Sequence, residues 1–71
     1  MVPTGEVVFW HNLRGYGFIE PDAGGPDVFF CHKDLRHRVQ WREVKAGVVV
    51  EFEIRISDRG PRARDIRLHT T

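Results

Sequence analysis

Two short segments of this 71-residue chain carry the side chains best suited to chemistry, Arg14-Gly15-Tyr16-Gly17-Phe18-Ile19-Glu20 and Asp27-Val28-Phe29-Phe30-Cys31-His32. Side chains of an extended strand alternate in direction, so Tyr16 and Phe18 project to one side roughly 7 Å apart, and Gly17 and Ile19 to the other. In the second segment Phe29 and Cys31 share one side and Val28 and Phe30 the opposite one. Antiparallel pairing of the two segments would gather Tyr16, Phe18 and Phe29 into a single patch. Flat rings so spaced can stack unpaired nucleobases, at about 1–3 kcal/mol per base and with tolerance for any base, because every base has a π-face. Arg14 lies at the edge of that patch, with Lys33 and Arg59 as possible neighbours to meet phosphates.

The plainer reading of three aromatic residues on strands is that they are core. Parity argues against it. Val48, Val50, Phe52, Ile54, Ile19 and Val28 already supply the inside of a barrel this small, which leaves the other face of each strand to water. An outward cluster of rings costs solubility and ordinarily marks a binding surface.

Other chemistries fit less well. Cys31, His32, His37 and His11 lack the paired spacing by which zinc sites declare themselves, so neither a metal nor another cofactor is expected. Cys31 and His32 are neighbours on a strand and point to opposite faces, which forbids the hydrogen bond that activates a thiol. Gly15-x-Gly17 and Gly24-Gly25 lack the remaining glycines and the lysine of phosphate-cradling loops. No catalytic residue is assigned, and the chain is not expected to be an enzyme. The RNA-recognition motif needs Phe or Tyr where this octapeptide has Pro21, and two amphipathic helices that no stretch here supports.

The elements that must position the rings read as strands, because short runs of Val, Ile, Phe and Trp are separated by turn residues at near-regular intervals. The candidates are Gly5 to His11, Tyr16 to Glu20, Asp27 to His32, Val48 to Ile56 and about Arg62 to Leu68. In the fourth, Val48, Val50, Phe52, Ile54 and Ile56 share one parity, the pattern of a half-buried strand. Breakers at Asn12–Gly15, Pro21–Pro26 and Ser57–Pro61 suit turns. Residues from Lys33 to Ala46 are basic and weakly patterned, a long connection with room for one helical or 3₁₀ turn. Five short strands with one long connection suit a small antiparallel barrel, since closure removes exposed edges.

Length and composition set the outer bounds. A chain of 8.3 kDa makes one domain, spanning 1–71, which buries only roughly 60% of its unfolded surface. Eleven Lys and Arg against ten Asp and Glu leave a formal charge of +1, so affinity for polyanions has to come from where the charges sit. The single cysteine cannot form an intramolecular disulfide, and no secretory pattern opens the chain, so a reducing cytoplasm is the expected compartment. Apolar runs such as Gly47-Val48-Val49-Val50 fall far short of the roughly 20 residues of a membrane span.

Arg14-Gly15-Tyr16-Gly17-Phe18-Ile19 resembles the Lys-Gly-Phe-Gly-Phe-Ile signature of the cold-shock domain family, and Asp27 to His32 resembles that family's second ribonucleoprotein motif. Gly5-Glu6-Val7-Val8-Phe9-Trp10 is similar to its opening strand. Phe52-Glu53-Ile54 followed by Arg59-Gly60-Pro61-Arg62-Ala63 is similar to its fourth strand and closing turn. The resemblance covers nearly the whole chain. It implies an all-β, five-stranded oligonucleotide-binding (OB-fold) barrel that binds single-stranded RNA and DNA, as an RNA chaperone or a regulator of transcription or translation.

Carried over by position, Phe9, Tyr16, Phe18, Phe29 and His32 would lie on the stacking face. Trp41 stands in the long connection where the family often has an aromatic, and Arg14, Asp27, Arg59 and Pro61 fall at edge or base-contacting positions. Trp10 would be mostly core, across a twisted or bulged first strand, a choice that strict alternation cannot make. The departures are Val8 for a usual lysine, His11 for asparagine, Cys31 for histidine and His32 for phenylalanine. Residues 36–45, more basic than the family pattern, could compensate. A monomer is expected, with strand exchange through the long connection as the route to a dimer. The alternative is a barrel of this fold used as a protein-interaction module without nucleic-acid binding, which predicts an aromatic patch lacking a basic rim.

Overall fold

Alternation of buried and outward side chains is strict where the sequence pattern is strictest, with Gly17, Ile19, Val28 and Phe30 inside and Tyr16, Phe18, Phe29 and Cys31 outside. The computed structural model describes residues 2–69, and its strands are β1 (Thr4–His11), β2 (Tyr16–Pro21), β3 (Val28–Cys31), β4 (Val49–Ser57) and β5 (Gly60–Leu68). They close into a barrel in the order β1-β2-β3-β5-β4. A ring with an odd number of strands cannot alternate direction all the way round, so one pairing has to be parallel. It is β3 with β5, through Phe29 and Arg62, while the other four pairings are antiparallel as expected.

The first strand carries the bulge that alternation alone could not place. Val7 pairs with Ile19 and Phe9 with Phe18, so Val8 is the extra residue. An inserted residue resets parity. Val7 therefore points into the core, Phe9 points out at 43% exposure, and Trp10 turns back to stack on the buried Phe30 at 5.4 Å. Opposite Trp10 sits Gly17. A Cβ there would collide with the Phe9 carbonyl oxygen and press on the Phe30 ring, so the close approach of β1 to β2 needs glycine.

Val7, Ile19, Val28, Phe30, Val50, Phe52, Ala63 and Ile66 fill the barrel, with Val44 plugging one end. Ile54 and Ile56, expected inside from their parity with Phe52, are instead 43% and 82% exposed. The cause is geometric. β4 pairs with β1 only through Val49–Glu51, a register irregularity follows between Glu51 and Glu53, and beyond it β4 keeps β5 but has no partner on its β1 side. Ile54 therefore opens onto a cleft that it shares with Val2, Pro3, Pro21, Val28 and Pro61 and is only partly covered.

The long connection holds two 3₁₀ turns, His32–Asp34 and Trp41–Glu43, where one had been expected. It is strapped to β5 by the Arg36 N–H, which donates to the Ile66 carbonyl at 3.0 Å, and by a two-pronged ion pair of Arg36 with Asp65. That guanidinium holds the Asp65 carboxyl below the usual carboxylate range, chiefly through its hydrogen bond. No helix among the described residues is long and apolar enough to cross a membrane.

Candidate nucleic-acid interface

Cross-strand neighbours on one face of a sheet lie side by side. The register therefore lays the outward rings in rows. Phe9 on β1 is opposite Phe18 on β2, and Phe18 is opposite Phe29 on β3, with centroids 6.4 and 5.9 Å apart. In the adjacent row His11 is opposite Tyr16, which is opposite Cys31, and the His11 and Tyr16 rings stack at 5.5 Å. Diagonal contacts of Tyr16 with Phe9 at 5.8 Å and with Phe29 at 6.1 Å knit the rows into one plate. Phe9 is exposed, and Tyr16, Phe18 and Phe29 are half-buried against each other with their outer faces uncovered.

At one corner the plate meets a second cluster. Gly15 adopts φ +68°, a left-handed turn conformation, and the Trp41 ring lies directly over it, so that a Cβ would fall 2.5 Å from the indole. Trp41, 37% exposed, also touches the His32 ring at 4.9 Å and meets Trp10 edge-on at 5.9 Å. The expected stacking residues thus form two groups, Phe9, Tyr16, Phe18 and Phe29 in one and His32 with Trp41 in the other. At the opposite corner Arg59 and Pro61 line an open cleft of about 590 Å³ with Phe18 and Phe29. Arg14 in the β1–β2 turn and Asp27 just before β3 are exposed, and their side chains make no ion pair or hydrogen bond among the described residues.

Three residues of this surface escaped the sequence reading as site residues. His11 joins it because the bulge at Val8 turns His11 outward beside Tyr16, a shift that could have been read had the bulge been placed. Cys31 is half-exposed at the end of the second row. Arg62 lies over the Phe29 ring, its guanidinium carbon 5.5 Å from the centroid. No local signal could find Arg62, since only the parallel β3–β5 pairing puts it there.

Arg62 is held from below. Its Nε–H donates to Asp34 Oδ2 at 3.1 Å and its Nη2 lies 3.1 Å from Cys31 Sγ. The hydrogen bond to Asp34 raises the guanidinium pKa further above its already high value, so Arg62 stays charged. Asp34 is itself 7% exposed and also accepts the Cys31 N–H at 2.9 Å. Asp34→Ala is expected to cost about 1–3 kcal/mol in urea unfolding, because a partly buried backbone N–H loses its acceptor and Arg62 its anchor. An unchanged urea midpoint would show that water serves both groups equally well.

A plate of uncovered rings on strands β1 to β3 of a small barrel, rimmed by arginines, is a surface built to receive flat apolar groups that carry negative charge. The model of the 'Cold-shock' DNA-binding domain matches residues 3–69. This chain belongs to the cold-shock domain family. The match makes it a nucleic-acid-binding protein of the cold-shock type.

Individual relatives agree. The chain is 38% identical over 64 residues to the cold shock-like protein CspA of Stigmatella aurantiaca, covering 90% of this chain and 93% of the relative. It is 39% identical over 64 residues to a cold shock-like protein of Thermotoga maritima, covering 90% and 94%. Identity to the cold shock protein ScoF of Streptomyces coelicolor is 36% over 63 residues, covering 89% and 92%. Cold-shock domains are thus matched over nearly their whole length.

Proposed function

We propose that the aromatic face binds single-stranded RNA and DNA, and that the chain works as a cytoplasmic monomer, acting as an RNA chaperone or as a regulator of transcription or translation. The observation that carries this reading is the uncovered row Phe9–Phe18–Phe29 running across three strands. Roughly six nucleotides lie across the face, with bases on the rings and phosphates turned mostly outward, a length within the usual range for such barrels. Stacked bases are withheld from pairing, which melts weak RNA structure without ATP.

Roles follow from position. Phe9, Tyr16, Phe18 and Phe29 stack the central bases, while His32 and Trp41 receive a base at the Gly15 corner. Arg59 and Pro61 hold one at the opposite corner. Arg14 meets a phosphate at the rim, and Asp27 accepts a hydrogen bond from a base edge.

Titration of a pyrimidine-rich heptanucleotide, followed by tryptophan fluorescence, tests this. Trp41 is the expected reporter, because Trp10 is half-buried against Phe30. A saturable change at one site per chain is expected, with a duplex of the same sequence binding far more weakly. Equal affinity for the duplex overturns the reading, since paired bases cannot reach the rings.

Few phosphates are neutralised on this face, so the slope of log K against log salt for a short strand is expected at roughly −1 to −3, from two to four contacts at about 0.7 each. A slope near −8 would point instead to nonspecific charge binding.

A further inference from the structure

The row of side chains that begins with Phe9, Phe18 and Phe29 does not stop at Arg62. Arg62 on β5 is paired in register with Arg55 on β4, so the row crosses all five strands and ends on two arginines placed directly opposite each other. Like charges in that relation destabilise a sheet. Nothing on the barrel side offsets them fully. Asp34 is engaged with Arg62, and the Arg55–Glu53 contact is a 3.4 Å pair between side chains 62% and 50% exposed, a geometry that contributes little in water.

The same place is a cleft of about 420 Å³, lined by Lys33, Asp34, Arg55, Ser57, Arg62 and Arg64. Four of those six side chains are cationic, and Lys33 and Arg64 make no ion pair among the described residues. Arg62 and Ser57 line both this cleft and the one that holds Phe18, Phe29, Arg59 and Pro61. The basic cleft therefore opens directly off the aromatic plate. It holds no outward aromatic ring, so what it can bind is charge without bases.

We infer that the Lys33–Arg55–Arg64 cleft is a phosphate track, which takes the sugar-phosphate backbone of nucleotides running off the aromatic face past Arg62. The inference rests on the proposed single-strand binding and extends it. An anion between Arg55 and Arg62 relieves their repulsion, and a strand whose bases leave the plate keeps presenting phosphates every nucleotide. The cleft adds affinity through counterion release and adds no base preference. Short and long strands should accordingly be held by different sets of residues.

Oligo(dT) of six and of twelve nucleotides, titrated at several salt concentrations against the native chain and against Arg55→Gln/Arg64→Gln, separates the two parts. For the native chain, the dodecanucleotide should show a salt slope steeper than the hexanucleotide by roughly 1.4, the contribution of two phosphates at about 0.7 each. The double variant should bind the hexanucleotide within twofold of the native chain. It should lose about tenfold for the dodecanucleotide at low salt, together with the extra slope. Arg55→Lys/Arg64→Lys, which keeps the charge, should retain most of both, and thermal melting of each variant confirms the fold. A hexanucleotide extended by six abasic sugar-phosphates should behave as the dodecanucleotide does.

Equal salt slopes for the two lengths in the native chain, or equal losses for both strands in the double variant, would overturn the phosphate track. Tighter binding of polyglutamate than of the dodecanucleotide at matched charge and salt, lost in the double variant, would assign the cleft to acidic polypeptides and overturn it too. Failure of the native chain to bind even the hexanucleotide would instead defeat the reading of the aromatic face.

Discussion

Phe29→Ala is expected to weaken binding of a pyrimidine-rich heptanucleotide by about 1–3 kcal/mol, which is roughly five- to 150-fold in dissociation constant. Phe29 sits where both rows and the cation meet. Its ring contacts Tyr16, Phe18 and the Arg62 guanidinium, so its loss removes one stacking surface and loosens two others. The fold should tolerate the change. Aromatic contacts beyond simple burial contribute about 1 kcal/mol, and the ring lies outside the core, only partly buried. If the variant unfolds while its folded fraction still binds normally, the ring belongs to the core and the stacking face is misassigned.

The residue next in the chain should behave in the opposite way. Phe30 is 0% exposed, stacks on Trp10 and lies against Gly17, where there is no room for a side chain. Phe30→Ala is expected to destabilise the barrel by about 3–5 kcal/mol, the cost of a large ring removed from a core that cannot fully collapse. A chain of this size has only about 4–10 kcal/mol of stability to lose. The melting temperature should drop by at least roughly 12 °C, with Trp10 emission shifting towards that of a solvated indole. Any fraction that stays folded should bind oligonucleotide with nearly native affinity. Two adjacent phenylalanines, one governing binding and the other stability, are the direct consequence of strand alternation.

Alternation also explains how far the chain could be read before its fold was known. Regular period-2 segments such as Tyr16–Glu20 and Val28–Cys31 fixed which side chains face water, because neighbouring residues on a strand have no choice but to diverge. Phe9 and Trp10 were ambiguous for the same reason. A bulge at Val8 resets the period, and no feature of Val7-Val8-Phe9 says which residue will be left unpaired. Ile54 and Ile56 misled, since parity gives the side of a sheet to which a residue points and says nothing about whether a second layer lies there.

His11, Cys31 and Arg62 became part of the surface only through pairing across strands. So did the confrontation of Arg62 with Arg55, residues on different strands whose neighbourhood depends on the register of the β4–β5 hairpin. Arg14, by contrast, was placed at the edge of the patch from its neighbours in the chain, and Asp27 from the resemblance to the family motif; the fold leaves both exposed.

By itself the amino-acid sequence determined the number of strands, the all-β class, the outward direction of Tyr16, Phe18 and Phe29 and the family to which these segments are similar. All of these follow from short-range order, residue type and spacing within a few positions. The tertiary structure alone decided where the barrel closes, which pairing runs parallel, which charges share a cleft and where the core ends. Those are long-range relations. They are set by strand register and by the presence or absence of an opposing layer, and neither is encoded in any one segment.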